Sequence, residues 1–311
     1  MNILVTGSNG FIGTELCKNL LNKKHRVIGI DVSSNDVKFE KYIKNNEIFS
    51  FKHIMADITN FDDIDSKISW DDIDYVYHLA AMANINTARK YPRKCYDVNV
   101  TGTFNISRMC EENKIPICYI STQCVYGNQK LFPVKEDINI PFPTEIYGVT
   151  KYMGEQLIRM LSNWTILRYG TVVGENMRKA LATWIFLDKA VKMEPMPIEG
   201  TGNQTRDWIY IQDLIDATSK VIDCPIEANR EVINISGSES YSVLEMARMC
   251  WKITNGKVRN VPKMTLDWKP ERFGQIVREE TSNEKAKRIL NWEPETSLYD
   301  ALEKCYVSTN E

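Results

Sequence analysis

Residues Thr6-Gly7-Ser8-Asn9-Gly10-Phe11-Ile12-Gly13 separate a short apolar run, Asn2–Thr6, from a stretch in which Phe11, Ile12, Leu16, Leu20 and Leu21 recur at helical spacing. Three glycines at a strand-to-helix junction leave few folds open. Glycine permits the tight turn, lets the backbone approach a pyrophosphate, and lets the helix pack closely on the strand. The unpaired N–H groups at the start of the helix then face the anion. A β-branched run, Arg26–Asp31, follows and ends in a carboxylate. Asp31 at that position would accept hydrogen bonds from the adenosine ribose and repel a 2′-phosphate. The pattern predicts a dinucleotide site that takes NAD in preference to NADP.

The alternation continues. Tyr75–Leu79 and Ile115–Ser121 read as further strands, with a helix over Tyr96–Glu112 between them. Strand, helix, strand in repetition requires crossover connections, hence an α/β fold with a doubly wound parallel Rossmann sheet. Ile3-Leu4-Val5 and Val27-Ile28 are apolar on both faces, as buried parallel strands are. From about residue 170 the rhythm breaks down. Pro195, Pro197, Gly200 and Gly202 crowd one loop, and Trp184, Trp208, Trp251, Trp268 and Trp292 scatter through the remainder. We expect residues 1–170, with about 205–236 returning to them, to form the dinucleotide-binding domain. Residues 171–204 and 237–311 are expected to form a smaller mixed α/β domain for the substrate.

Composition removes several classes of function. With Lys+Arg 39 against Asp+Glu 41, the net charge of -2 offers no basic field for nucleic acid or an anionic membrane. No apolar run approaches the roughly 20 residues that span a bilayer. Met1-Asn2-Ile3-Leu4-Val5 leads into the glycine motif without a basic segment of the kind that opens a signal peptide. The 8 cysteines form no C-x-x-C pair and accompany only 3 histidines, so neither a metal site nor a disulfide framework is expected. A cytoplasmic protein with reduced thiols is the expectation.

Tyr147 and Lys151 open a helical stretch that continues through Met153, Leu157, Ile158 and Leu161. Side chains four positions apart share a helix face, so phenol and ammonium can enter one site. A free tyrosine, with a pKa of about 10, is too weak an acid to serve as a base at neutral pH. A neighbouring ammonium favours the phenolate. Tyr126 and Lys130 have the same spacing, but Gly127 and Asn128 between them indicate a loop. Ahead of Tyr147 lies Ser121-Thr122-Gln123-Cys124-Val125-Tyr126-Gly127, at the carboxyl end of a predicted strand, where open α/β sheets bind ligands.

Taken together, these motifs resemble the extended short-chain dehydrogenase/reductase superfamily, in its NAD-dependent nucleotide-sugar epimerase/dehydratase branch. The resemblance runs through nearly the whole chain. After the glycine loop and Asp31 come Asp57-Ile58, His78-Leu79-Ala80-Ala81, Asn99, the Ser121–Gly127 segment, Tyr147/Lys151 and Leu167-Arg168-Tyr169, all in family order. Gly200–Tyr210, containing Gln204, Arg206 and Asp207, then Pro270–Gly274 and Lys285–Pro294, match the closing segments.

The resemblance implies roles for these residues. Gly7, Asn9, Gly10, Phe11, Ile12 and Gly13 would hold NAD, with Asp31 on the ribose and Asp57 and Ile58 at the adenine. Leu79, Ala80, Ala81, Asn99, Tyr147 and Lys151 would complete the cofactor site. Tyr147 would take a proton from a sugar hydroxyl, usually at C4, as that carbon is oxidised. Lys151 would hold the nicotinamide ribose and lower the phenol pKa, and Thr122 would bond the same sugar oxygen. Arg206 and Arg272 would clamp the diphosphate, with Gln204 and Thr171 also on the substrate. Two helices, about 84–112 and 147–162, would form a homodimer.

Two departures bear on the reaction. The branch's Leu-Arg-Tyr-Phe-Asn becomes Leu167-Arg168-Tyr169-Gly170-Thr171, and the Asp-Glu pair of its dehydratases becomes Gln123-Cys124. C4 epimerisation of a nucleoside-diphosphate hexose needs no acid/base group beyond tyrosine and is the leading expectation. The alternative is a dehydratase or C3/C5 epimerase in which Cys124, in a slot where GDP-mannose 3,5-epimerases carry a cysteine, moves a proton next to a C4 ketone. Arg178 or Lys179 would then supply the cation that lowers its thiol pKa. A non-catalytic NAD-binding regulator is the remote reading, since such a protein has no need of Tyr147, Lys151 and Thr122 together.

Overall fold

The computed structural model describes residues 1–33, 51–256 and 262–309. A 7-stranded sheet forms its centre: β1 Asn2–Thr6, β2 Arg26–Asp31, β3 Phe51–Met55, β4 Tyr75–His78, β5 Ile117–Thr122, β6 Trp164–Tyr169 and β7 Glu231–Ile235. Its order is β7-β6-β5-β4-β1-β2-β3, and every pairing is parallel. The chain winds outward from β1 to β3, then crosses back to β4 on the other side of β1. The doubly wound Rossmann sheet expected from the sequence is therefore present, with its switch point between β1 and β4. Glu231–Ile235 joins the edge of this sheet as β7 beside β6.

Alternation along β1 divides the core. Ile3 and Val5 face one apolar cluster, which also takes Leu16 and Leu20 of α1 (Phe11–Asn22), while Leu4 faces a second cluster with Ile106 and Ile158. β4, β5 and β6 are buried along their whole length, so both faces are covered by helices. Beyond residue 170, strand pairs are short: Thr171–Val173 with Trp208–Tyr210, Met196–Glu199 with Leu266–Lys269, and Thr205–Arg206 with Tyr241–Ser242.

Two predicted elements differ in detail. β5 starts at Ile117 because Ile115 N–H still bonds the Cys110 carbonyl at the end of a helix, through the left-handed Lys114. The helix expected over Tyr96–Glu112 is interrupted. A short helix Pro92–Tyr96 passes into a π-turn over Asp97–Thr101 before α2 (Gly102–Glu112). The extra residue in that turn carries Asn99, whose amide accepts from Met82 N–H at 2.7 Å and donates to Thr150 Oγ1 at 3.0 Å.

One buried ion pair ties three elements together. Glu155, on α3 (Ile146–Ile158), accepts from Arg168 Nε at 2.9 Å and Nη2 at 2.7 Å, and from Ser121 Oγ at 2.6 Å. Both charged side chains are essentially inaccessible, at 2% and 0% exposure. Removing one partner strands the other charge, which costs about 3–5 kcal/mol. Arg168→Met should therefore lower unfolding free energy in urea by that amount, and Glu155→Leu combined with Arg168→Met should recover a large part of it. A single-variant loss below about 1 kcal/mol would contradict this account.

Candidate active site

At the carboxyl ends of β1, β4 and β5 lies a cavity of about 330 Å³. The glycine turn makes its floor. Gly7 has φ +71°, and a Cβ there would sit 2.9 Å from Ala80 Cα, so the turn and the segment after β4 touch backbone to backbone. A Cβ on Gly13 would lie 2.1 Å from the Gly7 carbonyl. α1 begins at Gly10 with no side-chain cap and no acidic residue in its first turn. Its first N–H groups are thus unused by side chains, and Phe11, Ile12 and Gly13 all line the cavity. Leu79 and Ala81 form the opposite wall.

Behind that wall runs a chain of hydrogen bonds. Ala80 N–H donates to Thr6 Oγ1 at 3.0 Å, and the same hydroxyl lies 2.6 Å from His78 Nδ1. Thr103 gives its own hydroxyl proton to the Asn99 carbonyl, so the neutral ring carries its proton on Nε2 and the Thr6 hydroxyl donates to Nδ1. Nε2–H then faces Thr103 Oγ1 at 3.0 Å, which donates to the Asn99 carbonyl at 2.7 Å. Burial, with Lys151 as a lesser cause, pulls His78 down to about 3, so the imidazole stays neutral and structural.

Asp31 ends β2 with Oδ2 accepting from Asn9 N–H at 3.1 Å and Oδ1 accepting from Ser33 N–H at 3.1 Å. The Asp57 carboxylate is engaged by Thr59 at 2.9 Å, and Ile58 is buried against Gly102. Neither lines the cavity; nor does Asn99, which acts on it through Met82 and Thr150.

Tyr147, Lys151, Thr122, Cys124 and Thr171 all line the cavity. Burial pushes the Tyr147 phenol well up and Cys124 adds to the push, while a hydrogen bond with Thr122 and the charge of Arg178 pull it down. Lys151 Nζ sits 3.9 Å from the Tyr119 ring centre. Burial lowers its ammonium to about 7, against the pull of Glu155, so the charge is poised near neutrality. Tyr126, by contrast, is tied by its hydroxyl to Asn234 at 2.8 Å and belongs to the loop its glycine neighbour suggested.

A second pocket, of about 80 Å³, shares Ile85, Cys124, Tyr147 and Thr171 with the first and adds Arg206, Arg272, Glu145 and Glu279. Arg206 donates through Nη1 to the carbonyls of Thr205 at 2.6 Å and Ile276 at 2.9 Å, and its Nε lies 3.4 Å from Glu279 Oε1. Glu145 Oε1 meets Arg89 at 3.0 Å and Arg272 at 3.7 Å. Arg89, Glu145 and Glu279 were not legible as site residues, since each reaches the site from a loop or helix end with no motif of its own; Arg178, expected beside Cys124, lines the first cavity and acts on Tyr147.

Three sequence expectations are corrected. Gln204 does not reach either cavity; its amide donates to the Glu199 carbonyl at 2.9 Å and holds its own turn. Gln123 is buried outside both cavities, with neither amide atom hydrogen-bonded among the described residues. Neither Arg178 nor Lys179 is the cation that acts on Cys124. Lys179 lies over the Trp184 ring at 5.6 Å, and the cation that draws the thiol down is Arg206. Burial, then Glu279, with Glu145 a smaller cause, outweighs it and raises the thiol to about 11.

A profile of the NAD dependent epimerase/dehydratase family matches residues 3–236. The chain belongs to that family. It is 31% identical over 322 residues to an uncharacterized UDP-glucose epimerase, YtcB, of Bacillus subtilis, covering 99% of this chain and 98% of the relative. It is 28% identical over 327 residues to the UDP-glucose 4-epimerase of the same organism, covering 96% and 94%. The crystal structure of UDP-glucuronic acid 4-epimerase from Bacillus cereus, in complex with UDP-glucuronic acid and NAD, superposes with a TM-score of 0.88 at 32% identity, covering 100% of this chain and 99% of that one. This family member is an NAD-dependent enzyme, and its residues fit the cofactor: the glycine turn leaves no room for side chains, and an uncapped helix start faces the cavity.

If Asp31 reads the ribose, Asp31→Ala should narrow the preference for NAD over NADP, measured by titrating both against intrinsic fluorescence. An unchanged ratio would remove Asp31 from cofactor selection.

Proposed function

We propose that the protein interconverts C4 epimers of a UDP-hexose by transient oxidation at C4. The convergence of Tyr147, Thr122 and Lys151 on a cavity that joins the glycine turn to an arginine-lined pocket carries this reading. NAD, when bound, supplies the reversible two-electron oxidation. Tyr147 takes the proton of the C4 hydroxyl and returns it; Thr122 bonds the same oxygen and orients it. Lys151 and Arg178 supply positive charge that favours the phenolate. Arg206 and Arg272 hold the diphosphate, whose oxygens suit the forked donors of arginine. Thr171, at the boundary of the two pockets, faces the sugar.

Proton transfer at C3 or C5 finds less support. Burial raises both side chains, but the charges beside them differ: Tyr147 faces Arg178, whereas Cys124 faces the carboxylates Glu279 and Glu145 with Arg206 as the opposing cation. Gln123 lies outside the cavity and does not stand in for the acid of a dehydratase.

We infer a homodimer as well. Tyr91, Tyr96, Phe104, Val149, Met153 and Met160 are exposed on the helical segments around 85–112 and on and just after α3, which is the surface a helical bundle between two copies would cover. Among the described residues no helix is long and apolar enough to cross a membrane. All 8 cysteines are free, which favours the reducing cytoplasm. For the domain division, we retain residues 1–170 with 205–236 as the cofactor half and 171–204 with 237–311 as the substrate half.

Incubating NAD-loaded protein with UDP-glucose and UDP-glucuronate in deuterated water tests the reading. Epimerised product of unchanged mass is expected, and Cys124→Ser should turn over as wild type does. Tyr147→Phe should lose about 10²–10⁴-fold in turnover while retaining UDP-sugar binding. Deuterium uptake at carbon, or loss of water, would replace epimerisation at C4 by the Cys124 alternative.

A further inference from the structure

The small pocket holds more charge than a diphosphate clamp requires. Arg206, Arg272, Glu145 and Glu279 all line about 80 Å³, beside Cys124 and Tyr147. Glu279 is buried, and its Oε1 lies 3.4 Å from Arg206 Nε. Among the described residues, Glu279 Oε2 and Glu145 Oε2 have no hydrogen-bond partner, and neither does Arg272 Nε. Buried polar atoms are normally paired, so these three unsatisfied atoms in one pocket mark a site completed by a ligand. The backbone of Glu279 is fixed by reciprocal 3.2 Å bonds with Thr205, which leaves its carboxyl little freedom to turn away.

We propose that Glu279 is a further residue of the substrate site, entering the complex as the protonated acid and donating a hydrogen bond to a phosphoryl oxygen of the nucleotide sugar. This rests on the reading given under Proposed function. A diphosphate that reaches Arg206 and Arg272 also reaches Glu279, and an ionised carboxylate at that distance repels it. Protonation removes the repulsion and turns an acceptor into a donor. The ionised enzyme, one proton from solvent and the sugar nucleotide form the complex, and no other bond changes.

The surroundings make the proton available at neutral pH. Facing Glu279 are Arg206 and Asp207 from the strand region 205–210, Arg272 from the preceding loop, and Cys124 and Glu145 across the pocket. Burial raises the carboxyl to about 7; Arg206 and Arg272 restrain that rise and Asp207 adds to it. A dianion bound alongside raises it further. The sign follows: binding takes up a proton, so affinity falls as pH rises above about 7, by up to about tenfold per pH unit.

Isothermal titration of UDP-glucose and of UDP-glucuronate into the NAD-loaded full chain at pH 8, in two buffers of different ionisation enthalpy, counts the protons. The diphosphate of either ligand has no group titrating in this range. Uptake approaching one proton is expected for wild type, with Kd rising between pH 7 and 8.5. Glu279→Gln should bind without uptake and with a Kd independent of pH. Binding by wild type without proton uptake overturns the proposal while leaving the functional reading intact. Equal uptake by a Glu279→Gln protein that still binds NAD does the same. If neither sugar nucleotide binds at any pH, the functional reading falls and this inference with it.

Discussion

The Glu155–Arg168 pair, with Ser121 as its third member, is the contact on which the geometry of the site depends. It lies on α3 one turn beyond Lys151 and two beyond Tyr147, so all three side chains project from one face. β5 contributes Ser121 and β6 contributes Arg168, and the two strands are adjacent. The helix carrying phenol and ammonium is therefore pinned, through its last turns, to the strand that delivers Thr122. A single charge does two things here. It fixes the helix, and it opposes the desolvation that would otherwise discharge Lys151.

Close backbone approach is the second constraint. The glycine turn meets Ala80, and Gly154 on α3 meets the Tyr119 ring so closely that a Cβ would lie 2.2 Å from its hydroxyl. Tyr119 can then lie beneath Lys151 and present its ring to the ammonium. The hydrogen-bond chain from Ala80 through Thr6, His78 and Thr103 to Asn99 holds the β4 loop to the π-turn with every polar atom used. The cofactor wall is thus set by packing behind it, and needs no charged residue of its own.

What was legible in the sequence was what is local in the chain. The glycine turn, Asp31 at a strand end and the Tyr147/Lys151 spacing each lie within a few residues, and the alternation of periods gave the sheet. Strand ends were off by a residue or two wherever a left-handed residue or a carbonyl shared between elements set the limit, as at Lys114 and Ile115. The Asn99 π-turn has no periodic signature. The substrate pocket was only half legible. Arg206 and Arg272 were visible through their motifs, but Glu145, Glu279 and Arg89 acquire meaning only when loops far apart in sequence are brought together. Gln204 shows the converse: its place in a motif suggested a ligand contact, and a local carbonyl took its amide.

Cys124 shows why residue type alone does not decide chemistry. The same thiol beside a lysine would be a base; here the groups that face it are chiefly carboxylates, Glu279 and Glu145, with Arg206 as the opposing cation. Arg206 draws the thiol down, and in the free enzyme the Glu279 carboxylate 3.4 Å from its Nε opposes that pull. An uncharged thiol next to Tyr147 avoids a second negative charge near the phenolate, and such a charge would oppose the proton transfer that starts oxidation at C4. Burial first, and Glu279 and Glu145 in the free enzyme, hold the Cys124 thiol neutral and so protect Tyr147 as the base; once Glu279 is protonated in the complex, burial and Glu145 keep the thiol neutral.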